Sequence, residues 1–287
     1  MWWRKVKTFG ELIKYEHTVF ALPFAYAGSF LAARGWPEGR VLFWVTVAMF
    51  GARSAAMALN RLIDRAIDAQ NPRTANRHLP RGLLSVGEVL LFTLFSVALF
   101  ALAAWELNPL AFRLLPLALV TLVVYPYTKR FTWLSHLVLG LAEFYAPFGG
   151  WIAVTGRAEL PAYVLGLAVG LWIAAFDIIY AIWDLDFDRQ AGLFSIPVRF
   201  GLKGALRISA AMHVLTILLF VAFYFLDRRG PYYLVGVVLT AALLFYEHRL
   251  ISPEDLSRLN VAFFNVNGMI SLIFFLFTFL DTTLIKA

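Results

Sequence analysis

The chain contains no cysteine. Disulfides, thiolate metal sites, iron–sulfur clusters and cysteine nucleophiles are therefore excluded. Charge is scarce as well. Only 15% of the residues are Asp, Glu, Lys or Arg, against 61% hydrophobic, whereas a soluble domain is about a quarter charged and about half apolar. The five histidines are scattered without metal-ligand spacing. No Ser/His/Asp arrangement, Walker loop or dinucleotide fingerprint occurs. Low-complexity tracts and a separate soluble domain are also missing, so residues 1–287 read as one membrane-embedded unit.

What is present is a succession of apolar runs of membrane-spanning length, with a mean hydropathy of +0.74. The fold class is therefore all-α and polytopic, because lipid-exposed backbone must satisfy its own hydrogen bonds and the alternation of a β-barrel is absent. Nine spans are expected, at about 18–33, 41–63, 86–104, 110–127, 133–154, 161–183, 205–226, 231–246 and 261–280. The first, fourth and eighth are short, which fits little tilt or thinner lipid. Residues 6–17 read as an amphipathic lead-in helix on the membrane surface, and Met1-Trp2-Trp3-Arg4-Lys5 as an interfacial anchor rather than part of a cleaved signal.

The net charge of +7 does not indicate nucleic acid, because the basic residues lie between apolar segments. With nine spans, the N-terminus and the loops near 64–85, 128–132, 184–204 and 247–260, with Arg207, carry 16 Lys and Arg. The opposite loops and the C-terminus carry 7, and Arg53 and Arg61 inside the second span complete the 25. This asymmetry predicts a multi-pass plasma-membrane protein with its N-terminus and larger loops in the cytoplasm.

Six of the nine aspartates fall in two windows, both at predicted cytoplasmic span ends. The first runs from Asn60 to Asp68 and the second from Asp177 to Asp188. At about 100° per residue, Asn60, Asp64 and Asp68 share one helical face, as do Asp177, Tyr180, Asp184 and Asp188. Carboxylates at a helix C-terminus are disfavoured by roughly 0.3–1 kcal/mol each, and two such ends facing each other repel. A divalent cation reverses that sign. Hard oxygen ligands at one-turn spacing suit Mg²⁺, which completes its shell with water and substrate phosphate. Either window alone reads equally as a solvated acidic cap; the two together point to a site.

Basic residues surround the same side. Arg73 and Arg77 follow the second span, and Lys129 and Arg130 follow the fourth. Carboxylates for metal and cations for phosphate oxygens make a diphosphate site, although each cation taken singly is also explained by topology. Arg53 lies two turns deeper than Asn60 on the same face. Its insertion costs at least about 2.5 kcal/mol, so it is a candidate to bind the carboxylate of an acidic substrate. The structural alternative is a pairing with Glu143 in the fifth span.

At these residues the chain resembles the UbiA family of intramembrane aromatic prenyltransferases. The family pattern Asn-x3-Asp-x3-Asp is matched by Asn60, Asp64 and Asp68, and its Arg-Thr-Ala-Asn-Arg by residues 73–77. The second pattern is matched by Asp177, Tyr180, Ala181, Asp184 and Asp188, with Gly192 and Ser195 downstream. Tyr-Pro-x2-Lys-Arg-x-Thr occurs at 125–132 and Ala-Phe-x-Asn-x-Asn at 262–267. The resemblance implies nine helices around a central cavity, Mg²⁺ dependence, a polyprenyl diphosphate donor and an aromatic acid acceptor. Two Mg²⁺ would be held by Asp64, Asp68, Asp184 and Asp188 with Asn60 assisting, and Asp177 and Tyr180 would sit at the reaction centre. The 4-hydroxybenzoate branch, in quinone synthesis, is the most similar. Lys14-Tyr15-Glu16-His17-Thr18 and Ser195-Ile196-Pro197 depart toward relatives of the futalosine route to menaquinone, whose acceptor would be a dihydroxynaphthoate. A transporter is the rival class, but a translocation path needs polar residues toward the far side of the membrane, and few are seen. The Asp-Gly-x2-Ala-Arg signature of CDP-alcohol phosphotransferases is absent.

Overall fold

A computed structural model describes residues 2–13 and 18–285. Among these residues the regular structure is entirely helical: α1 (Trp2–Leu12), α2 (Thr18–Ala33), α3 (Gly39–Gln70), α4 (Val86–Leu107), α5 (Pro109–Thr128) and α6 (Ser135–Thr155) come first. They are followed by α7 (Leu160–Tyr180), a 3₁₀ turn (Ala181–Asp184), α8 (Leu185–Gln190), α9 (Ile196–Leu226), α10 (Pro231–Leu250), a π-helical segment (Val261–Val266) and α11 (Asn267–Leu284). Among the described residues, eight helical stretches are long and apolar enough to cross a membrane.

Local chemistry sets the bounds. Ser85 and Glu88 form a reciprocal capping box that starts α4. Asn108 caps α5 by accepting the Ala111 N–H at 3.0 Å, with Pro109 in the first turn. Gly156, at φ 64°, ends α6 in the left-handed conformation.

Consecutive membrane helices are neighbours, and α11 closes the ring against α2. The α2–α6 pair crosses closely inside it. A methyl group at Gly28 or Gly150 would run into the carbonyl of Pro147 or Ala25, so small residues let the two backbones touch. The largest buried cluster lies among α2, α6, α7, α9, α10 and α11, around Trp172, Phe220, Phe223 and Phe274.

Helices occupy all nine expected positions, but only eight of them are long and apolar enough to cross a membrane, and the first is not. The helix α2 is 16 residues long, or about 24 Å at 1.5 Å per residue, short of the roughly 30 Å hydrocarbon core. The fourth and eighth spans are 20 residues each, long enough to cross, because the helices continue past the apolar windows. The expected 6–17 lead-in helix is replaced by α1, which starts at Trp2 and ends at Leu12. It docks through Phe9 and Leu12 on Ala58, Leu84 and Val89, with Phe9 stacked on Phe92 at 4.8 Å. Residues 14–17, and so most of the Lys14–Thr18 stretch, lie outside the described residues, as do the side chains of Trp2 and Trp3.

Candidate active site

The helix α3 runs on to Gln70, which carries Asp64 and Asp68 in its last two turns, both buried. Asn71 then breaks the helix with an extended backbone, and its carbonyl accepts the N–H groups of Thr74 (2.9 Å) and Ala75 (2.8 Å). The Thr74 hydroxyl donates to the Asp68 carbonyl at 3.0 Å. This compact turn folds Arg73 and Arg77 back over the helix end.

The second window is divided by the 3₁₀ turn. A continuous α-helix from Asp177 to Asp188 was the expectation from spacing. Instead Asp177 and Tyr180 end α7, Asp184 closes the tighter turn, and Asp188 lies on α8. The tighter winding rotates Asp184 out of the α-helical register. Asp177 and Tyr180 face a cavity, while Asp184 faces the Arg73 loop.

Basic side chains cover both windows, and the loop after the first reaches the second through Asn71 and Arg73. Asp64 accepts Lys129 Nζ at 2.6 Å and Arg130 Nη2 at 3.1 Å, and Asn60 Nδ2 lies 3.4 Å from the same carboxylate. Asp68 accepts Arg77 Nη1 at 2.6 Å, and its other oxygen is buried without a hydrogen-bond partner. Asp184 accepts Asn71 Nδ2 and Arg73 Nε, each at 2.8 Å, and pairs with Arg73 Nη2. Arg73 Nη1 also donates to the Tyr180 hydroxyl at 2.7 Å. Burial works against the Arg73 charge, but the hydrogen bonds and charges of Asp184 and Tyr180 outweigh it and raise its pKa above the usual arginine value. Arg130 additionally donates to the carbonyls of Pro126 (2.7 Å) and Ile63 (2.9 Å), so it straps α5 to the end of α3.

Among the described residues, no three Asp, Glu or His side chains converge so as to hold a metal ion. The expected carboxylate cluster is thus not preformed, because each window is drawn onto basic side chains. The donor set still suits Mg²⁺. It consists of carboxylate oxygens, one of them unpartnered, and Mg²⁺ needs only one or two from protein when phosphate oxygens and water supply the rest.

A cavity of about 360 Å³ opens beneath this ion-pair layer. Its polar end holds Asn60, Arg61, Arg77, Tyr125, Asp177 and Tyr180, with Arg53 and Glu143 deeper. The remainder is apolar and rich in alanine and glycine, down to Ala104 and Ile152. Arg53 Nη1 lies 3.8 Å from Glu143 Oε1, and Arg53 Nε is buried without a partner. The structural pairing is therefore real, yet loose, and both groups face the cavity.

The profile of the UbiA prenyltransferase family matches residues 21–277. The chain belongs to the UbiA prenyltransferase family. It is thus a membrane-embedded prenyltransferase. A 4-hydroxybenzoate octaprenyltransferase of Vibrio cholerae is 34% identical over 265 residues, covering 92% of this chain and 90% of that protein. The apo structure of a UbiA homologue from Aeropyrum pernix K1 superposes with a TM-score of 0.85 at 37% identity, covering 93% of this chain and 98% of that one. A UbiA homologue from Archaeoglobus fulgidus, bound to GPP and Mg²⁺, shares the fold at a TM-score of 0.77 and 22% identity, covering 96% and 99%.

Several residues of this UbiA site lie outside the candidates drawn from the sequence. Arg61 is buried, lines the cavity and donates to Asn60 Oδ1 at 3.3 Å; the insertion cost that singles out Arg53 applies equally to it. Asn71 holds Asp184. His136 holds Asp177 at 2.8 Å. Phe263 covers the Tyr180 ring at 4.4 Å. Phe263 belongs to the π-helical segment, whose carbonyls at Ala262 and Phe263 each accept Asn267 Nδ2 at 3.1 Å. The same amide donates to the buried Glu247 at 3.0 Å. The Ala-Phe-x-Asn-x-Asn pattern is the signal that marks this segment.

Proposed function

We propose that the protein transfers a polyprenyl group from polyprenyl diphosphate to the ring of a hydroxylated aromatic acid of the 4-hydroxybenzoate type, with Mg²⁺, in quinone synthesis. The observation that carries this reading is the layering of the site. Two acidic helix ends, covered by Arg73, Arg77 and Lys129, lie above a cavity that carries Arg53 below its polar end and is otherwise largely apolar. Phosphate, carboxylate and hydrocarbon each have a counterpart, in that order down the cavity. The name of the Vibrio cholerae relative and the GPP and Mg²⁺ of the Archaeoglobus fulgidus homologue support the same substrate classes.

In this mechanism Asp64, Asp68, Asp184 and Asp188, with Asn60, would hold Mg²⁺. The metal would supply neutralisation of the charge growing on the leaving diphosphate. Arg73, Arg77 and Lys129 exchange their carboxylate partners for phosphate oxygens and stabilise the same charge; Arg130, committed to two carbonyls, contributes least. The allylic C–O bond breaks and its electron pair leaves with diphosphate. The Tyr180–Phe263 aromatic pair lines the place where the allylic cation forms. The alanine- and glycine-lined cavity takes the isoprenoid chain and excludes water that would quench the cation. Arg53 receives the acceptor carboxylate, and the ring attacks at the carbon ortho to its hydroxyl. The site faces the cytoplasm, and the whole chain acts as one membrane-embedded domain.

The test is incubation of purified protein with labelled polyprenyl diphosphate, Mg²⁺ and each candidate acid in turn. Labelled 4-hydroxybenzoate product is expected. Product only with a dihydroxynaphthoate would move the acceptor to that class, and no product with any aromatic acid would refute the reading.

A further inference from the structure

Two carboxylates line the cavity, Asp177 and Glu143. Their partners differ in kind. Glu143 faces the guanidinium of Arg53, a permanent cation that competes with a proton for the same oxygens. Asp177 Oδ2 instead meets Nδ1 of His136 at 2.8 Å. His136 is 3% exposed and lies behind Asp177, outside the cavity lining.

The tautomer of His136 follows from its other nitrogen. Nε2 accepts the backbone N–H of Ile196 at 3.4 Å. A nitrogen that accepts an N–H holds no proton, so the ring proton is on Nδ1 and is donated to Asp177. Ile196 opens α9, where the first-turn N–H groups have no partner within the helix. The Ser195 hydroxyl accepts the Val198 N–H at 3.3 Å, and His136 takes that of Ile196. The loop before α9 is fixed in turn by the Phe194 N–H, which donates to the Lys129 carbonyl at 2.7 Å. A neutral donor orients a carboxylate without cancelling its charge.

We propose that His136 is the positioning residue of Asp177, and that Asp177 is the base that removes the ring proton after prenylation. This rests on the prenyl-transfer reading above. Once the prenyl carbon has bonded to the ring, the C–H bond at that ring carbon breaks. Its electron pair restores the aromatic ring, and the proton goes to the Asp177 oxygen that His136 leaves free. Asp177 returns to the carboxylate by giving this proton to water that enters as the product leaves.

The experiment compares the native protein with His136→Ala, His136→Asn, His136→Gln and Asp177→Asn. It measures kcat, both KM values, and the isotope effect on kcat with acceptor deuterated at the prenylated carbon. His136→Ala is expected to lower kcat about 10- to 100-fold, the usual cost of losing an orienting partner, with both KM values unchanged and a deuterium isotope effect absent from the native enzyme. The amide of His136→Asn replaces the Nδ1 donor and should recover most of kcat. His136→Gln carries its amide one bond further out and should behave as Ala does, which keeps the test informative if the alanine variant fails to fold. Native kcat in His136→Ala or His136→Gln, or a loss with no isotope effect and no rescue by Asn, overturns the proposal alone. Native kcat in Asp177→Asn overturns the assignment of the base. A native protein that prenylates no aromatic acid overturns the underlying reading and this inference with it.

Discussion

Arg53 and Glu143 should act on the acceptor with opposite sign. Their closest atoms are 3.8 Å apart; at an effective dielectric of about 20, unit charges at that distance attract by about 4 kcal/mol before desolvation is counted. The acceptor carboxylate must share Arg53 with Glu143 or displace it. Arg53→Ala removes the cation that faces Glu143 and leaves that carboxylate to repel the acceptor. Losing one partner of a desolvated charge pair costs roughly 2–5 kcal/mol, so the acceptor KM should rise at least about 30-fold, at 1.4 kcal/mol per decade. Glu143→Gln removes the competitor, frees the guanidinium and should lower the acceptor KM, with kcat little changed. The assay is steady-state kinetics in detergent with each substrate varied in turn, alongside thermal unfolding. The donor KM should stay constant in both variants. If the donor KM rises instead, Arg53 belongs with the phosphate-binding cations. If only thermal stability falls and both constants hold, the pair is structural and the reasoning is wrong.

Asp64→Ala or Asp184→Ala should abolish transfer while the protein remains folded and membrane-inserted; full turnover of either at saturating Mg²⁺ would refute the two-window site. Excess EDTA should stop the reaction and added Mg²⁺ restore it, and turnover that survives chelation would exclude the metal. Arg73→Ala should raise the donor KM and leave the acceptor KM alone, since its guanidinium is committed to Asp184 and Tyr180 on the phosphate side of the cavity. At the opposite membrane face, Asp227 binds the buried Arg229 and accepts Arg34 Nη2 at 3.1 Å. Asp227→Ala strands a buried guanidinium and should destabilise by roughly 3–5 kcal/mol, read as a lower Tm in detergent with native KM values.

Much of this was legible in the sequence because lipid imposes a simple grammar. Apolar length reports spans directly, and six aspartates at two span ends cannot be a by-product of burial. What escaped depends on departures from the regular α-helix and on tertiary partners. The 3₁₀ turn between Tyr180 and Asp184 was invisible because spacing arguments assume uniform winding. His136 and Asn71 are single polar residues whose meaning comes from what lies across from them. Asp177 and Ile196, which His136 joins, are distant in sequence. Arg53 carried two readings, acceptor ligand and partner of Glu143; the pairing is present, and its 3.8 Å separation leaves room for the other.

The six-residue π-helical segment before α11 makes the chain one residue longer than an ordinary helical turn requires. One extra residue shifts the phase of everything after it by about 100°. Deleting a residue between Val261 and Val266 would therefore yield a more regular helix and a worse enzyme. Either Phe263 would swing off Tyr180, or α11 would turn its buried stripe, including Ser271, Phe274 and Thr278, toward lipid. The segment behaves as a phase adapter between two periodic surfaces, one fitted to the reacting aromatic cluster and one to the bundle. Length is what this stretch supplies mechanically, so substitutions at its positions other than Phe263 should be tolerated where single-residue deletions are not.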